Sequence, residues 1–217
     1  SMGNQHPRWK ASTSGPLADT SRRSGAPGLS TRCSGKTGSR CSSCSAAWQR
    51  LPMILLAVDP GKSGALAWLK CPHGSPRAEL LQIMDMPTRK HRTKTTLDVR
   101  VLAAQIRDAP FPNLAIVEKV GAMPGQGVTS MFDFGFSTGG VHGCLAGHGI
   151  LITDISPQEW RSWAQLRGNK SDALGRASEL FPEFAKSFSR KKDHGRAEAA
   201  LIGYAAICRS RNQILNK

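Results

Sequence analysis

Acidic side chains stand at the ends of predicted strands, and others lie beside a histidine late in the chain. Asp59 comes directly after the first apolar strand, and Glu118 follows Leu-Ala-Ile-Val. In α/β sheets, strand ends on the same side converge in one crevice, where sites form. His194 and Glu198 are four residues apart, so they share a helix face, and Asp193 comes just before. Oxygen ligands with one imidazole are typical of a Mg²⁺ or Mn²⁺ site.

Each of these residues also has a simpler explanation. An Asp before Pro-Gly, as at Asp59, is often a turn former, and Asp193 is suited to capping its helix. Glu118 is more informative, because a carboxylate that emerges from a buried strand is unusual. Carboxylates buried together would repel and raise each other's pKa, and a cation resolves that conflict. The set, rather than any single member, predicts a metal site.

The elements that must position these residues predict an α/β protein with a mixed sheet. Apolar runs predict three successive strands, an antiparallel meander, and then alternating strands and helices. Ser156-Pro157-Gln158-Glu159 is typical of a helix start, with Ser as the N-cap and Pro at the first position. The predicted strands are 53–59, 65–69, 78–84, 115–118 and 149–155, and the predicted helices are 98–108, 128–148, one starting at 156, 171–180 and 193–209.

Glycine recurs every four residues in the long helix predicted for 128–148, at Gly135, Gly139, Gly143 and Gly147. Each interior Gly costs up to ~1 kcal/mol relative to Ala, so a close backbone approach must compensate. Either the sheet of the same subunit or a second subunit would serve. We expect tight internal packing, with a dimer contact as the alternative.

The charge of the chain indicates a polyanionic partner. Its 217 residues carry 30 Lys and Arg against 15 Asp and Glu, a net charge of +15. Such an excess favours nucleic acid first and an anionic membrane surface second. The longest apolar run near a strand, 53–58, is far too short to span a bilayer. The length suits one domain with a tail.

The first 52 residues differ in composition from the rest. They hold eight Lys or Arg and one acid, Asp19, and are dense in Ser, Gly and Pro without periodic apolar residues. We expect 1–52 to be a disordered basic leader and 53–217 to be the folded domain. The leader suits an organelle transit peptide; alternatively, it is an upstream extension and Met53 is the true start. A lone Cys-x-x-Cys predicts reduced, unligated thiols and an intracellular compartment.

Three blocks of the sequence resemble the RuvC-like Holliday junction resolvases. They are 57–65 with its Asp-Pro-Gly, 116–120 (Ile-Val-Glu-Lys-Val) and 190–199 (Arg-Lys-Lys-Asp-His-Gly-Arg-Ala-Glu-Ala). The third block is nearest to the phage-type and plant-plastid (monokaryotic chloroplast) branch. This resemblance implies a ribonuclease H-like mixed sheet flanked by helices. It also implies a homodimer that resolves four-way DNA junctions by paired, symmetric, Mg²⁺-dependent nicks.

The resemblance also assigns the site residues. Asp59, Glu118, His194 and Glu198 would be catalytic and would bind metal, with Asp193 as a further ligand. Two Mg²⁺ ions about 4 Å apart, replaceable by Mn²⁺, would activate a water and stabilise the leaving 3′-oxygen. The last acid is Glu rather than Asp, a departure from the bacterial pattern that should preserve ligation.

Contacts to DNA are expected from cations near this site. One cluster lies in a predicted loop and another lies beside the last acidic block, although a solvated surface run is the simpler explanation for each. Bacterial members often carry an aromatic soon after the strand-end Glu to wedge the junction open, and here Met123 or Phe132 would take that place. The expected DNA-binding residues are Lys119, Arg89, Lys90, Arg92, Lys94, Arg190, Lys191 and Lys192.

Other functions fit less well. Gly61-Lys62-Ser63 lacks the earlier Gly of a phosphate-binding P-loop, because Leu56 stands there. An actin-like sugar kinase needs a second lobe that this length cannot supply, so no nucleotide cofactor is expected. The alternatives left are a non-cleaving junction- or branched-DNA-binding protein and a ribonuclease H-like nuclease acting on other branched DNA. The expected compartment is a bacterial or phage-host cytoplasm, or a plastid if the leader is a transit peptide.

Overall fold

The computed structural model describes residues 53–71, 78–92, 94–121, 125, 127–166 and 170–215. The predicted leader and the candidate wedge Met123 lie outside these residues. Within them, Cys71, Cys144 and Cys208 are free thiols. No helix in the same described ranges is long and apolar enough to cross a membrane.

The centre of the fold is a five-stranded mixed sheet. The strands described are β1 Met53–Val58, β2 Ala65–Cys71, β3 Glu79–Asp85, β4 Thr88–His91, β5 Lys94–Leu97, β6 Leu114–Glu118 and β7 Leu151–Ile155. The order across the sheet is β3-β2-β1-β6-β7. β1 to β3 form the predicted antiparallel meander, and β6 and β7 run parallel to β1.

Helices cover both faces of this sheet, which confirms the predicted α/β fold class. They are α1 Val99–Asp108, α2 Val128–Gly147, α3 Pro157–Trp163, α4 Lys170–Leu180 and α5 His194–Leu215, with 3₁₀ segments at Pro182–Phe188 and Lys191–Asp193. One core joins the sheet to α3, α4 and α5, and the other joins it to α1 and α2. Leu55 and Ala57 of β1 face the first core, and Leu56 and Val58 face the second. β1 is a continuous apolar run because both of its faces are buried.

The basic residues of 89–92 and Lys94 lie in a β-hairpin, rather than in the loop predicted for them from the sequence. β4 and β5 pair antiparallel as a separate two-stranded sheet. Arg92 has a φ of 54°, and this left-handed conformation reverses the chain. Leu97 is buried against the domain and anchors the hairpin. The strand pair was missed because its residues are mostly charged or polar, and its buried apolar residue, Leu97, comes only at the end of β5.

The prediction that the glycine stripe of α2 packs tightly inside the subunit is wrong. A Cβ added at Gly135, Gly139, Gly143 or Gly147 would meet no described atom within 4 Å. The close internal approach uses Gly140 instead, where a Cβ would lie 2.8 Å from Cδ2 of Leu97. The four-residue stripe therefore faces away from the core.

Candidate active site

The parallel pairing of β1 and β6 brings the first two predicted acids together. Val58 is in register with Val117, so Asp59 and Glu118 follow side by side at the carboxyl edge of the sheet. The N–H of Asp59 donates to the carbonyl of Ala65 at 3.0 Å. Its Oδ1 accepts from the N–H of Gly61 at 3.2 Å. The turn after β1 therefore fixes the carboxylate of Asp59.

Glu118 is held by a residue that follows β7. Its Oε1 accepts a hydrogen bond of 2.8 Å from Nε1 of the buried Trp160, on α3. Burial raises the pKa of Glu118 above its ordinary value, and the neighbouring negative charge of Asp59 raises it further. The Trp160 hydrogen bond and the positive charges of Arg161 and His194 lower that pKa in opposition. The carboxylate thus lies in a crevice where a positive charge is favoured.

The first turn of α5 supplies the third acid. Nε2 of His194 lies 3.2 Å from Oε1 of Glu198, as the four-residue spacing predicts, and the Glu198 side chain is only 12% exposed. Nη1 of Arg161 lies 3.9 Å from the same oxygen. Because Arg161 and His194 also act on Glu118, the structure places Asp59, Glu118, His194 and Glu198 in one cluster.

Glycines allow α5 to come this close to the sheet edge. A Cβ at Gly195 would clash with the carbonyl oxygen of Ser63 and would lie 2.9 Å from Cα of Gly64. A Cβ at Gly64 would in turn collide with the backbone of Asp59. The start of α5 therefore packs directly on the turn that carries Asp59, and no side chain separates the two acidic segments.

The carboxylate of Asp193 is engaged in an ion pair with Arg190. Its Oδ2 and Oδ1 accept from Nε and Nη2 of Arg190 at 2.9 and 2.8 Å, and Oδ2 also accepts from the Arg190 N–H at 3.1 Å. These hydrogen bonds lower the pKa of Asp193. Arg196 donates to both carboxylate oxygens of Asp85. Its Nη1 also lies 3.9 Å from Oδ1 of Asp193. The arrangement braces the 3₁₀ turn that leads into α5, and the metal-ligand role of Asp193 stays a prediction.

No family model matches the chain. A curated relative, the chloroplast Holliday junction resolvase MOC1 of Chlamydomonas reinhardtii, is 32% identical over 100 residues, or 45% of this chain. The match spans only 11% of that protein's length. Thermus thermophilus RuvC, solved in complex with a Holliday junction substrate, superposes with a TM-score of 0.53 and 13% identity, covering 74% of this chain and 96% of RuvC. The chain has a RuvC-like fold.

A second solved structure has the same fold. The yeast mitochondrial Holliday junction resolvase Ydc2 superposes with a TM-score of 0.50 and 12% identity, covering 76% of this chain and 82% of that protein. The resemblance predicted from the three sequence blocks is therefore confirmed. In sequence it rests on the plastid relative, and in fold it rests on the RuvC-type structures.

The donor types at the edge of this RuvC-like sheet are those that a hard divalent cation accepts. Three carboxylates and one imidazole offer oxygen ligands with one nitrogen, the donor set that Mg²⁺ and Mn²⁺ accept. Burial is the main cause of the raised pKa of Glu118 and the negative charge of Asp59 adds to it, so a bound cation would favour the charged carboxylate. Across the described ranges, however, no three His, Cys, Asp or Glu side chains are grouped so that they could hold a metal ion. Each acid instead has a protein partner. Glu118 accepts from Trp160, Asp59 accepts from the N–H of Gly61, and Glu198 lies near Arg161.

Sequence reasoning missed Trp160 and Arg161. The guanidinium carbon of Arg161 lies 5.5 Å from the centroid of the Trp160 ring, and the pair presents an indole N–H and a cation to the acids. The helix start at Ser156 was the available signal. A helix that begins directly after β7, beside β6, must carry its first turn past the same sheet edge.

The predicted DNA-binding residues all lie on the surface, around the site or on the hairpin. Lys119 directly follows Glu118, and its N–H donates to the carbonyl of Ile155 at 2.7 Å. Arg190 is bound to Asp193, whereas Lys94 is bound to Asp133 of α2. The exposed members are Lys119, Arg89, Lys90, Arg92, Lys94, Arg190, Lys191 and Lys192. Their contacts with DNA stay predictions.

Proposed function

We propose that this chain is a structure-selective endonuclease that resolves four-way DNA junctions. The observation that carries the proposal is the convergence of Asp59, Glu118 and the His194–Glu198 pair at one edge of a RuvC-like sheet. The basic surface beside this cluster supports a polyanionic substrate. MOC1 and the RuvC-type structures, whose names specify Holliday junctions, support the branched form of that substrate.

The carboxylates would hold the metal and the neighbouring groups would hold the substrate. Asp59, Glu118 and Glu198 would bind the cations with His194, and Asp193 would contribute only after release from Arg190. When bound, the cations supply a water nucleophile and charge stabilisation for phosphodiester hydrolysis. Trp160 fixes the orientation of Glu118 through its indole N–H. Lys119, Lys191 and Lys192 are exposed and would contact backbone phosphates around the cut.

The outward face of α2 supports the homodimer. Its glycine stripe is open among the described residues, and Val128, Phe132 and Phe136 are 79%, 70% and 47% exposed. A groove of about 330 Å³ runs beside the stripe, lined by apolar side chains that include Met131 and Phe134. Small residues at four-residue spacing let two helices approach closely. We propose that α2 pairs with α2 of a second copy, because two symmetric cuts need two active sites.

Gly139→Leu is expected to convert a dimer into a monomer. Leu is expected to block the close approach of a second α2, while within one subunit a Cβ at this position meets no described atom within 4 Å. Light scattering on a sizing column should give the parent twice the 23.4 kDa chain mass and the variant that mass once. Gly175→Leu on α4, another open helical glycine, is the matched control and should remain dimeric. A dimeric Gly139→Leu variant would exclude this surface.

The proposed activity is tested on synthetic four-way junctions with Mg²⁺ or with EDTA. Paired nicks at symmetric positions are expected with Mg²⁺ and not with EDTA, and Mn²⁺ should substitute. Duplex, flap and fork substrates belong in the same experiment, since a preference for one of them would redirect the proposal to other branched DNA. Tight junction binding without nicking under any metal would instead identify a non-cleaving junction-binding protein.

The relative supports a proposal for the compartment. Because the similar MOC1 protein is chloroplastic, we propose a plastid rather than a bacterial or phage-host cytoplasm. The leader 1–52 would then act as the transit peptide.

A further inference from the structure

An acidic residue of α2 holds two lysines from separate elements. Asp133 Oδ2 accepts from Nζ of Lys62 at 3.0 Å, and its Oδ1 lies 2.8 Å from Nζ of Lys94. Lys62 belongs to the turn after β1, whereas Lys94 begins β5 of the basic hairpin. The hydrogen bond from Lys94 and then that from Lys62 lower the pKa of Asp133. One carboxylate therefore joins α2, the hairpin and the turn that carries Asp59.

The turn fixes Lys62 relative to the acidic cluster. Lys62 comes three residues after Asp59. Gly61 donates to the side chain of Asp59, and the N–H of Gly64 donates to the carbonyl of Gly61 at 2.9 Å. Hydrogen bonds therefore hold the backbone of the turn both before and after Lys62. A group bound by the Lys62 ammonium would lie near the turn that carries Asp59.

The two ammonium groups are accessible, whereas the carboxylate between them is largely covered. The side chains of Lys62 and Lys94 are 39% and 49% exposed, and that of Asp133 is 12% exposed. Each ammonium carries three N–H donors, of which Asp133 takes one. The remaining N–H donors are available to a ligand. The two lysines and Asp133 together carry a net charge of +1. An anion with several oxygens suits this pair better than a neutral ligand does.

We propose that Lys62 and Lys94, held in place by Asp133, form a binding site for a backbone phosphate of the DNA beside the cut. The proposal rests on the proposed nuclease function and adds a site to it. Asp133 is a positioning residue here, because it sets the separation of the two ammonium groups. The site also ties the hairpin to the catalytic turn, so the hairpin cations and the acidic cluster would engage one DNA backbone.

Lys62→Ala is expected to lower the salt dependence of junction binding. The measurement is fluorescence anisotropy of the full chain with a labelled four-way junction in EDTA, across a series of salt concentrations. Loss of one phosphate contact should reduce the log–log slope by about one unit for Lys62→Ala and for Lys94→Ala. Lys186→Ala, an exposed lysine of the Pro182–Phe188 segment, removes the same charge elsewhere and should leave the slope unchanged. Unchanged slopes in both test variants would overturn the site.

A double-mutant cycle tests the part played by Asp133. In an Asp133→Asn background, Lys62→Ala should cost less affinity than in the parent, because the ammonium is no longer held. Equal costs in the two backgrounds would remove Asp133 from the site. Asp108→Asn, an exposed acid paired with Arg107 of α1, is the matched charge control and should leave the cost of Lys62→Ala unaltered.

Failure of this site and failure of the nuclease proposal have different signatures. A parent protein that binds and cuts junctions, with slopes unaffected by Lys62→Ala and Lys94→Ala, contradicts the phosphate site alone. A parent protein that neither binds nor cuts junctions contradicts both.

Discussion

Glu118→Gln is expected to abolish junction cleavage while making the fold more stable at neutral pH. Gln cannot supply the negative charge that a cation requires, so the cleavage rate should fall by about 10²-fold or more. Its carbonyl oxygen can still accept the hydrogen bond from Trp160, which keeps the local geometry. The variant therefore removes a charge without removing the contact that holds the side chain.

The stability gain follows from the raised pKa of Glu118. A carboxyl whose pKa is higher in the folded than in the unfolded chain contributes stability below the unfolded pKa and loses that contribution as pH rises through the folded pKa. The shift begins from an ordinary value of 4.5. The melting temperature of Glu118→Gln in EDTA should therefore match that of the parent near pH 4 and exceed it at pH 7.

Glu183→Gln provides the control for both measurements. Glu183 is exposed on the 3₁₀ segment Pro182–Phe188, so the same substitution there should change neither single-turnover cleavage nor the pH dependence of melting. Mg²⁺ should raise the melting temperature of the parent more than that of Glu118→Gln, because a ligand stabilises only the form that binds it. A Glu118→Gln protein that nicks junctions at the parental rate would refute the catalytic assignment.

Gly195→Ala is expected to be strongly destabilising and to impair the site. The added Cβ would clash with the backbone of Ser63 and Gly64, and backbone cannot move aside as a flexible side chain can. Overpacking of this kind costs on the order of 3 kcal/mol. At about 2–4 °C per kcal/mol for a domain of this size, the melting temperature should fall by roughly 6–12 °C. Displacement of α5 would also carry His194 and Glu198 away from Asp59.

Gly175→Ala is the matched control for this prediction. Gly175 lies in α4, and a Cβ there meets no described atom within 4 Å. The substitution should therefore stabilise the protein by about 0.5–1 kcal/mol, since Ala is the better helix former. If Gly195→Ala melts at the same temperature as Gly175→Ala, α5 is not held by close backbone contact.

The site depends on groups that balance its carboxylates. Trp160 and Arg161 come from one turn of α3 and act on Glu118, and Arg161 also lies near Glu198. A separate ion pair between Arg190 and Asp193 braces the approach to α5. These partners hold the carboxylates and the start of α5 in their observed positions. Within the 190–199 block, Asp193 is therefore bound by Arg190, whereas Glu198 lies near His194 and Arg161.

Apart from the β4–β5 hairpin, sequence pattern alone determined the local elements of the sheet and its helices, and the acidic residues that end or begin them. A run of buried apolar residues marks β1 and β6, so the acids that follow, Asp59 and Glu118, could be placed at strand ends without coordinates. The four-residue spacing of His194 and Glu198 likewise fixes a shared helix face. Periodicity encodes such features because it depends only on neighbouring residues.

Tertiary structure alone decided which distant groups meet. Trp160 reaches Glu118 across 42 positions of sequence and Lys62 reaches Asp133 across 71, and no local period specifies either pairing. The sequence also could not show that the α2 glycine stripe faces away from the core. Four-residue spacing places the glycines on one helix face but does not say what that face contacts. Such contacts depend on how helices are oriented on the sheet, and that orientation is set by packing of the whole core.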